Sequence, residues 1–212
     1  METDATTAEL AKLFENTYRD VNIALANQMA EIAEGHGVDA TEALELASLH
    51  PRVDLLSPGI GVGGRCIPID PWFLHLASQQ GASLIAAART INDMRPDRAA
   101  SRIATELDGI DRPRVVLAGA AYKTNVSDTR NSPAMQVARI LAERGFDVIV
   151  YDGFVEEYAS DLKEDARGAD LIAVLVPHAK MMERLATERH MIEAGTRRPR
   201  IVDFSTGSPR PL

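Results

Sequence analysis

Between residues 7 and 34 the apolar positions Leu10, Phe14, Val21, Leu25, Met29 and Ile32 recur at steps of three, four or seven, with no proline or glycine among them. A side chain returns to the same face of an α-helix about every 3.6 residues, so this spacing predicts one long amphipathic helix over 7–34. Thr7 stands in its cap region and Gly35-His36-Gly37 ends it. Lys12, Asn16 and Asp20 fall four apart on another face. They read either as a solvated stripe or as partnered groups, because Asn16, Asn22 and Asn27 are poor helix formers best tolerated where their amides are satisfied. A second helix is expected from its cap Asp39 to Ser48, broken at His50-Pro51 because the residue before proline is pushed out of the α region. Arg52 to Gly64 reads as loop. Helix restarts at Pro68 or Asp70, with Pro71 in its first turn, and a further stretch carries Leu84, Ile85, Ala88 and Ile91. Pro96 kinks or interrupts this before Arg98 to Leu107.

After Asp108-Gly109 and Arg112-Pro113 the pattern changes from helical to alternating. Short apolar runs at Val115–Leu117, Val148–Tyr151, Leu171–Val176 and Ile201–Val202 are separated by helical stretches at Ala134–Arg144 and from about Ala179. Buried strands alternating with helices imply a doubly wound parallel sheet. The expected fold is therefore α/β overall, with an all-α region at 1–109 and a Rossmann-like α/β domain at 110–212.

The 212 residues are 45% hydrophobic, enough to build a core, and their net charge of −8 argues against nonspecific nucleic-acid binding. No apolar run approaches a bilayer span, and the start Met1-Glu2-Thr3-Asp4 has neither the basic nor the apolar part of a signal peptide. A cytoplasmic protein without membrane contact is expected. A single cysteine excludes an internal disulfide and a four-cysteine zinc site, and the histidines show no ligand spacing, so no metal is expected.

Two stretches carry candidate chemistry. In Gly59-Ile60-Gly61-Val62-Gly63-Gly64-Arg65-Cys66-Ile67-Pro68-Ile69-Asp70, glycines lead into the lone cysteine. Residue type alone leaves Cys66 open between a small inert hydrophobe and a nucleophile, and its place behind a glycine loop favours the second. Gly59, Gly61 and Gly64 also satisfy G-x-G-x-x-G, but that fingerprint needs a strand before it and a helix opening inside it. Ser57-Pro58 before and Pro68 after exclude that context. The second stretch, Gly119 to Pro133, leaves the first strand, and ligands of such sheets sit beyond the strands' carboxyl ends. Lys123 and Arg130 can contact phosphate there, and Ser132 can cap the helix that starts at Pro133.

The chain resembles the middle and carboxyl-terminal parts of the NAD-dependent nucleotide-sugar 6-dehydrogenases, from about Ala8 to Asp203. The resemblance rests on Ala8-Glu9-Leu10-Ala11-Lys12 with Glu15-Asn16, on the glycine loop through Cys66 to Asp70, on Arg89-Thr90-Ile91-Asn92, and on Tyr122-Lys123 with Asp128-Thr129-Arg130-Asn131-Ser132-Pro133. His50-Pro51-Arg52-Val53 and Asp70-Pro71-Trp72-Phe73 look most like the branch acting on UDP-N-acetylmannosamine or UDP-N-acetylglucosamine. Departures are Ile69, where many members have a cofactor-contacting lysine, Arg65, where tyrosine, serine or histidine is usual, and a Val202–Gly207 stretch without the arginine of several members.

The resemblance implies two successive oxidations with NAD and no metal. It makes Cys66 the thiol that captures the aldehyde, with Lys12 and Asn16 facing the oxygen that becomes negative and Asp70 orienting water or a donor. It puts Gly59, Gly61, Gly63, Tyr122 and Lys123 against the UDP-sugar, with Arg52 reaching that substrate across a dimer interface, and Arg130 near the cofactor. It also implies a homodimer through the helix of residues 7–34, and a main NAD site in an amino-terminal Rossmann domain that is not in this sequence and would have to be separately supplied. The alternative is a noncatalytic module that binds nucleotide sugars and dimerises.

Overall fold

The computed structural model describes residues 2–197, 200–206 and 209–212, so Met1 and Gly207 of the stretches above lie outside the described residues. Five helices come first: α1 (Ala5–Gly35), α2 (Ala40–Ser48), α3 (Asp70–Ala77), α4 (Ser83–Asp93) and α5 (Arg95–Glu106). Asp4 rather than Thr7 caps α1, its carboxylate accepting from the Thr7 amide. Asp39 caps α2, accepting from the amides of Thr41 and Glu42.

The apolar stripe of α1 is not what α1 buries. Its buried residues are Asn16, Thr17, Asp20, Ala24, Ala26, Asn27 and Ala30, whereas Phe14 and Ile32 are 57% and 63% exposed. Small and polar residues let α1 lie close to α4, where the polar groups pair. Buried Arg89 binds Asp20 and also Asp93, and Asn92 donates to the Asp20 carboxylate at 2.8 Å and carbonyl at 2.9 Å. Asn27 donates to Asn92 at 3.1 Å. Two of the three helix-disfavouring asparagines, Asn16 and Asn27, thus have partners on other elements, while Asn22 donates only to the Tyr18 carbonyl of its own helix.

The second half forms one sheet in the order β2-β1-β3-β4-β5. Strands β1 (Arg114–Ala118), β2 (Asp147–Tyr151), β3 (Leu171–Val174) and β4 (Ile201–Asp203) pair in parallel, and β5 (Arg210–Pro211) adds an antiparallel edge. β5 gives no periodic signal because it has two residues, and its proline is tolerated only because the strand is an edge. Alternate residues of β1 serve the two faces. Val115 and Leu117 pack with α5 and with α6 (Pro133–Glu143), while Val116 and Ala118 pack with α7 (Leu162–Asp165) and α8 (Ala179–Glu193). Residues Ala99, Ala100, Ile103 and Leu107 of the α5 segment are thus part of the sheet's core, ahead of the Asp108-Gly109 turn.

The loop leaving β1 depends on Gly119. Its φ is +105°, and a Cβ there would lie 2.5 Å from the Val176 Cβ and 2.7 Å from the Val176 backbone. Only glycine allows the chain to leave β1 this close to the end of β3.

Candidate active site

The glycine loop, from the helical half, and the loop after β1, from the sheet, are joined by main-chain contacts. The Gly64 amide donates to the Arg130 carbonyl at 3.0 Å, and the Asn131 side chain donates to the Gly64 carbonyl at 3.0 Å. Gly63 passes so close that a Cβ would meet Tyr122 Cβ at 2.7 Å, the Asn131 carbonyl at 2.8 Å and Pro133 Cδ at 2.9 Å. The start of the loop is fixed from the other side: the Gly59 amide donates to Asn27 Oδ1 at 2.8 Å, and Arg95 Nε donates to the Gly59 carbonyl at 2.9 Å. Asn27 and Arg95 therefore clamp both backbone groups of Gly59. Sequence reasoning had only the cost of a third asparagine in α1 as a sign of the first, and nothing for Arg95.

Two clefts flank this junction. One, of about 350 Å³, is lined by Lys12, Asn16, Cys66, Tyr122 and Arg130, together with Arg19 and Arg65. The other, of about 440 Å³, is lined by Gly59, Gly61, Tyr122, Lys123, Pro177 and Thr206. Both are of small-ligand size, and Tyr122 belongs to both, so a molecule longer than either can lie across it. Arg52 lines neither cleft. It follows α2 at the surface, its amide donating to His50 Nδ1 at 3.3 Å.

Cys66 is exposed in the first cleft, in a turn whose carbonyl accepts from the amides of Ile69 at 3.0 Å and Asp70 at 2.8 Å. That turn delivers Asp70 to the start of α3 and faces its carboxylate to α1, where Asn16 donates to it at 2.6 Å. An asparagine amide carries two N–H donors, so one stays free for a ligand. Lys12 pairs with Glu15 at 2.6 Å, both side chains being 66% exposed. Its ammonium is held above its ordinary pKa first by the hydrogen bond from Lys12 to Glu15, with Cys66 contributing less. An exposed pair of this kind holds its partners weakly, so Lys12 can exchange Glu15 for an incoming anion. Arg130 is more firmly held. Its guanidinium forks onto Asp128, with Nε at 2.8 Å and 3.0 Å from the two oxygens, and these bonds bring the Asp128 carboxyl down to about 2.

Ser132 stands at the cap position of α6, yet its hydroxyl donates to the Ala121 carbonyl at 3.2 Å and makes no cap hydrogen bond. It closes the β1 loop on itself instead. Among the described residues no helix is long and apolar enough to cross a membrane, and no group of three or more His, Cys, Asp or Glu could hold a metal ion.

Residues 6–94 match the central domain of the UDP-glucose/GDP-mannose dehydrogenase family, and residues 116–206 match its UDP binding domain. The UDP-N-acetyl-D-mannosamine dehydrogenase of Methanocaldococcus jannaschii is 48% identical over 179 residues, which cover 83% of this chain and 42% of that protein. The NDP-N-acetyl-D-galactosaminuronic acid dehydrogenase of Ralstonia solanacearum is 37% identical over 199 residues, 88% of this chain and 46% of that protein. The solved UDP-D-ManNAc dehydrogenase of Pyrococcus horikoshii superposes with a TM-score of 0.87 at 40% identity, covering 96% of this chain and 49% of that one. The chain thus spans less than half the length of these relatives.

Proposed function

Because the chain belongs to the UDP-glucose/GDP-mannose dehydrogenase family, we propose that it is the part of a UDP-N-acetylhexosamine 6-dehydrogenase that binds the nucleotide sugar and carries the nucleophile. The observation that carries this reading is the pair of clefts meeting at Tyr122, one with Cys66, Asn16 and Lys12, the other with Lys123. The UDP part lies along the loop after β1 with Lys123 toward its phosphates, and the hexose crosses Tyr122 so that its C6 reaches Cys66. N-acetylmannosamine is the favoured sugar, because the relatives named above include enzymes for it.

The primary alcohol gives up a hydride from its C6–H bond and the proton of its O–H bond and becomes the aldehyde. The Cys66 sulfur then adds to the aldehyde carbon, forming a C–S bond and a thiohemiacetal oxygen that Lys12 and the free Asn16 N–H stabilise. Loss of a further hydride from that carbon and of the hydroxyl proton leaves a thioester, and water held by Asp70 attacks it, breaking the C–S bond and releasing the carboxylate, a proton and the Cys66 thiol. NAD supplies the oxidising power, two molecules being reduced for each alcohol. The G-x-G-x-x-G run does not fit a dinucleotide pyrophosphate, since Gly59–Gly64 lies in a loop with neither a strand before it nor a helix opening inside it. Arg130, at the cleft edge, is this chain's contact to a cofactor held mainly by a Rossmann domain.

A homodimer through α1 completes the reading. Leu10, Phe14, Leu25, Met29 and Ile32 are exposed along one helix, and burying them on a second copy is favourable at about 25 cal/mol per Å². The test is NADH formation from UDP-N-acetylmannosamine and UDP-N-acetylglucosamine, with and without a separately supplied Rossmann domain. Reduction that needs that domain is expected, with Cys66→Ser losing the second oxidation and the carboxylate product; binding of the UDP-sugar without reduction under either condition replaces the enzyme with a binding module.

A further inference from the structure

Behind the loop after β1 lies a buried pair that the chemistry above does not use. Asp152 and His178 are each 0% exposed, although one leaves β2 and the other precedes α8. His178 Nε2 is 2.9 Å from Asp152 Oδ2, and the same oxygen accepts from the amides of Ala120 at 2.7 Å and Ala121 at 3.0 Å. Oδ1 accepts from the Phe154 amide at 2.8 Å, and the Phe154 ring stacks on the imidazole with centroids 4.8 Å apart. On its other side His178 Nδ1 accepts from the Asn125 amide at 2.8 Å. An acceptor nitrogen carries no proton, so the imidazole is neutral with its hydrogen on Nε2, which donates to Asp152. Asn125 itself has φ +60°, and its side-chain oxygen accepts from the Ala179 amide at 2.9 Å.

The pair therefore grips the segment 120–125 at both ends: Asp152 holds the amides of residues 120 and 121, and His178 holds that of residue 125. Between these anchors stand Tyr122 and Lys123, which line the second cleft. We propose that Asp152 and His178 are positioning residues for nucleotide-sugar binding, setting the height of Tyr122 and Lys123 over the cleft through backbone hydrogen bonds without touching the ligand. Burial of a charged group and an imidazole is costly unless each polar atom is used, and here the use is the backbone of a loop that presents half-buried Tyr122 and exposed Lys123 to the cleft.

This rests on the reading of that loop as the UDP contact, and the experiment separates the two. Calorimetry with UDP alone is run on the wild-type chain, on His178→Phe, which fills the space but has no polar atom, and on His178→Asn, whose Oδ1 falls where Nδ1 stands. Wild type binds UDP; His178→Phe loses at least tenfold in affinity, and His178→Asn recovers most of it. Amide exchange at residues 120–125 speeds up in His178→Phe more than at β1 or β3. If wild type does not bind UDP, the proposed function fails. If wild type binds and the affinities of the variants follow their melting temperatures, with Asn no better than Phe, His178 only fills the fold and the positioning role is refuted. Should His178→Phe not fold, the comparison of His178→Asn with His178→Gln, which reaches Asp152 but leaves the Asn125 amide without an acceptor, decides in the same way.

Discussion

Replacing Gly63 by alanine tests whether the junction of the two loops is as tight as the geometry requires. Gly63 does not have a left-handed φ, so the substitution costs nothing in backbone strain and everything in space. The added Cβ would meet one side-chain carbon at 2.7 Å, a backbone oxygen at 2.8 Å and a proline ring carbon at 2.9 Å, all closer than real Cβ contacts come. None of the three is the far end of a flexible side chain, so the loops have to separate. Overpacking of this kind costs about 1–3 kcal/mol. At this chain length each kcal/mol shifts the melting temperature by roughly 2–4 °C. Separation also moves Tyr122, and on the proposed reading of the site a contact worth one neutral hydrogen bond, lost with it, corresponds to about fivefold in affinity. Gly59→Ala is the control for stability, because its Cβ would meet only the Ser205 carbonyl at 3.6 Å, an ordinary contact. Thermal denaturation and UDP calorimetry on both variants give the answer. A Gly63→Ala protein that melts with wild type, or one no less stable than Gly59→Ala, shows that the loops give way without cost and refutes the close-approach reasoning.

Four further outcomes are expected. Burial raises the Asp152 carboxyl, but His178 and the amides of Ala120, Phe154 and Ala121 outweigh it and bring it from 3.8 down to about 2. A depressed folded value gives stability that is complete above the unfolded value and disappears as pH falls through the folded one. Urea titrations should therefore show about 2 kcal/mol of stability lost between pH 4 and 2, and Asp152→Asn should flatten that limb. Lys123→Ala should weaken UDP-sugar binding by about 1.5–3 kcal/mol with little change in melting, since Lys123 is exposed; equal calorimetric affinities would remove it from the site. Iodoacetamide should label exposed Cys66 in the folded protein, and UDP-N-acetylmannosamine should slow the labelling; unchanged labelling separates the thiol from the sugar site. Sedimentation at micromolar concentration should show a dimer that Phe14→Glu converts to monomer, whereas a wild-type monomer would end the assignment of α1 as an interface.

The sequence alone determined most of the elements, because those are coded locally. Steps of three and four gave α1, the Asp39 cap gave the start of α2, Pro71 placed the start of α3, and apolar runs gave the four parallel strands within one or two residues. It also singled out Cys66 and the loop after β1 as candidates, since glycines before a lone cysteine and a polar segment leaving a first strand are local signals. Which face of α1 is buried was not legible: the apolar stripe is exposed, and the interior took Asp20 and Asn27 because Arg89 and Asn92, some seventy residues later, supply their partners, and Asn16 because Asp70 does, pairings that spacing cannot show. The two-residue β5 was hidden for want of a period. Only tertiary structure put Gly63 against Tyr122, tied Gly59 to Asn27 and Arg95, and brought Asp152 and His178 from two strand ends behind one loop. Those contacts join residues far apart in sequence, and such pairings exist only once the sheet and α1 have fixed where the loops begin.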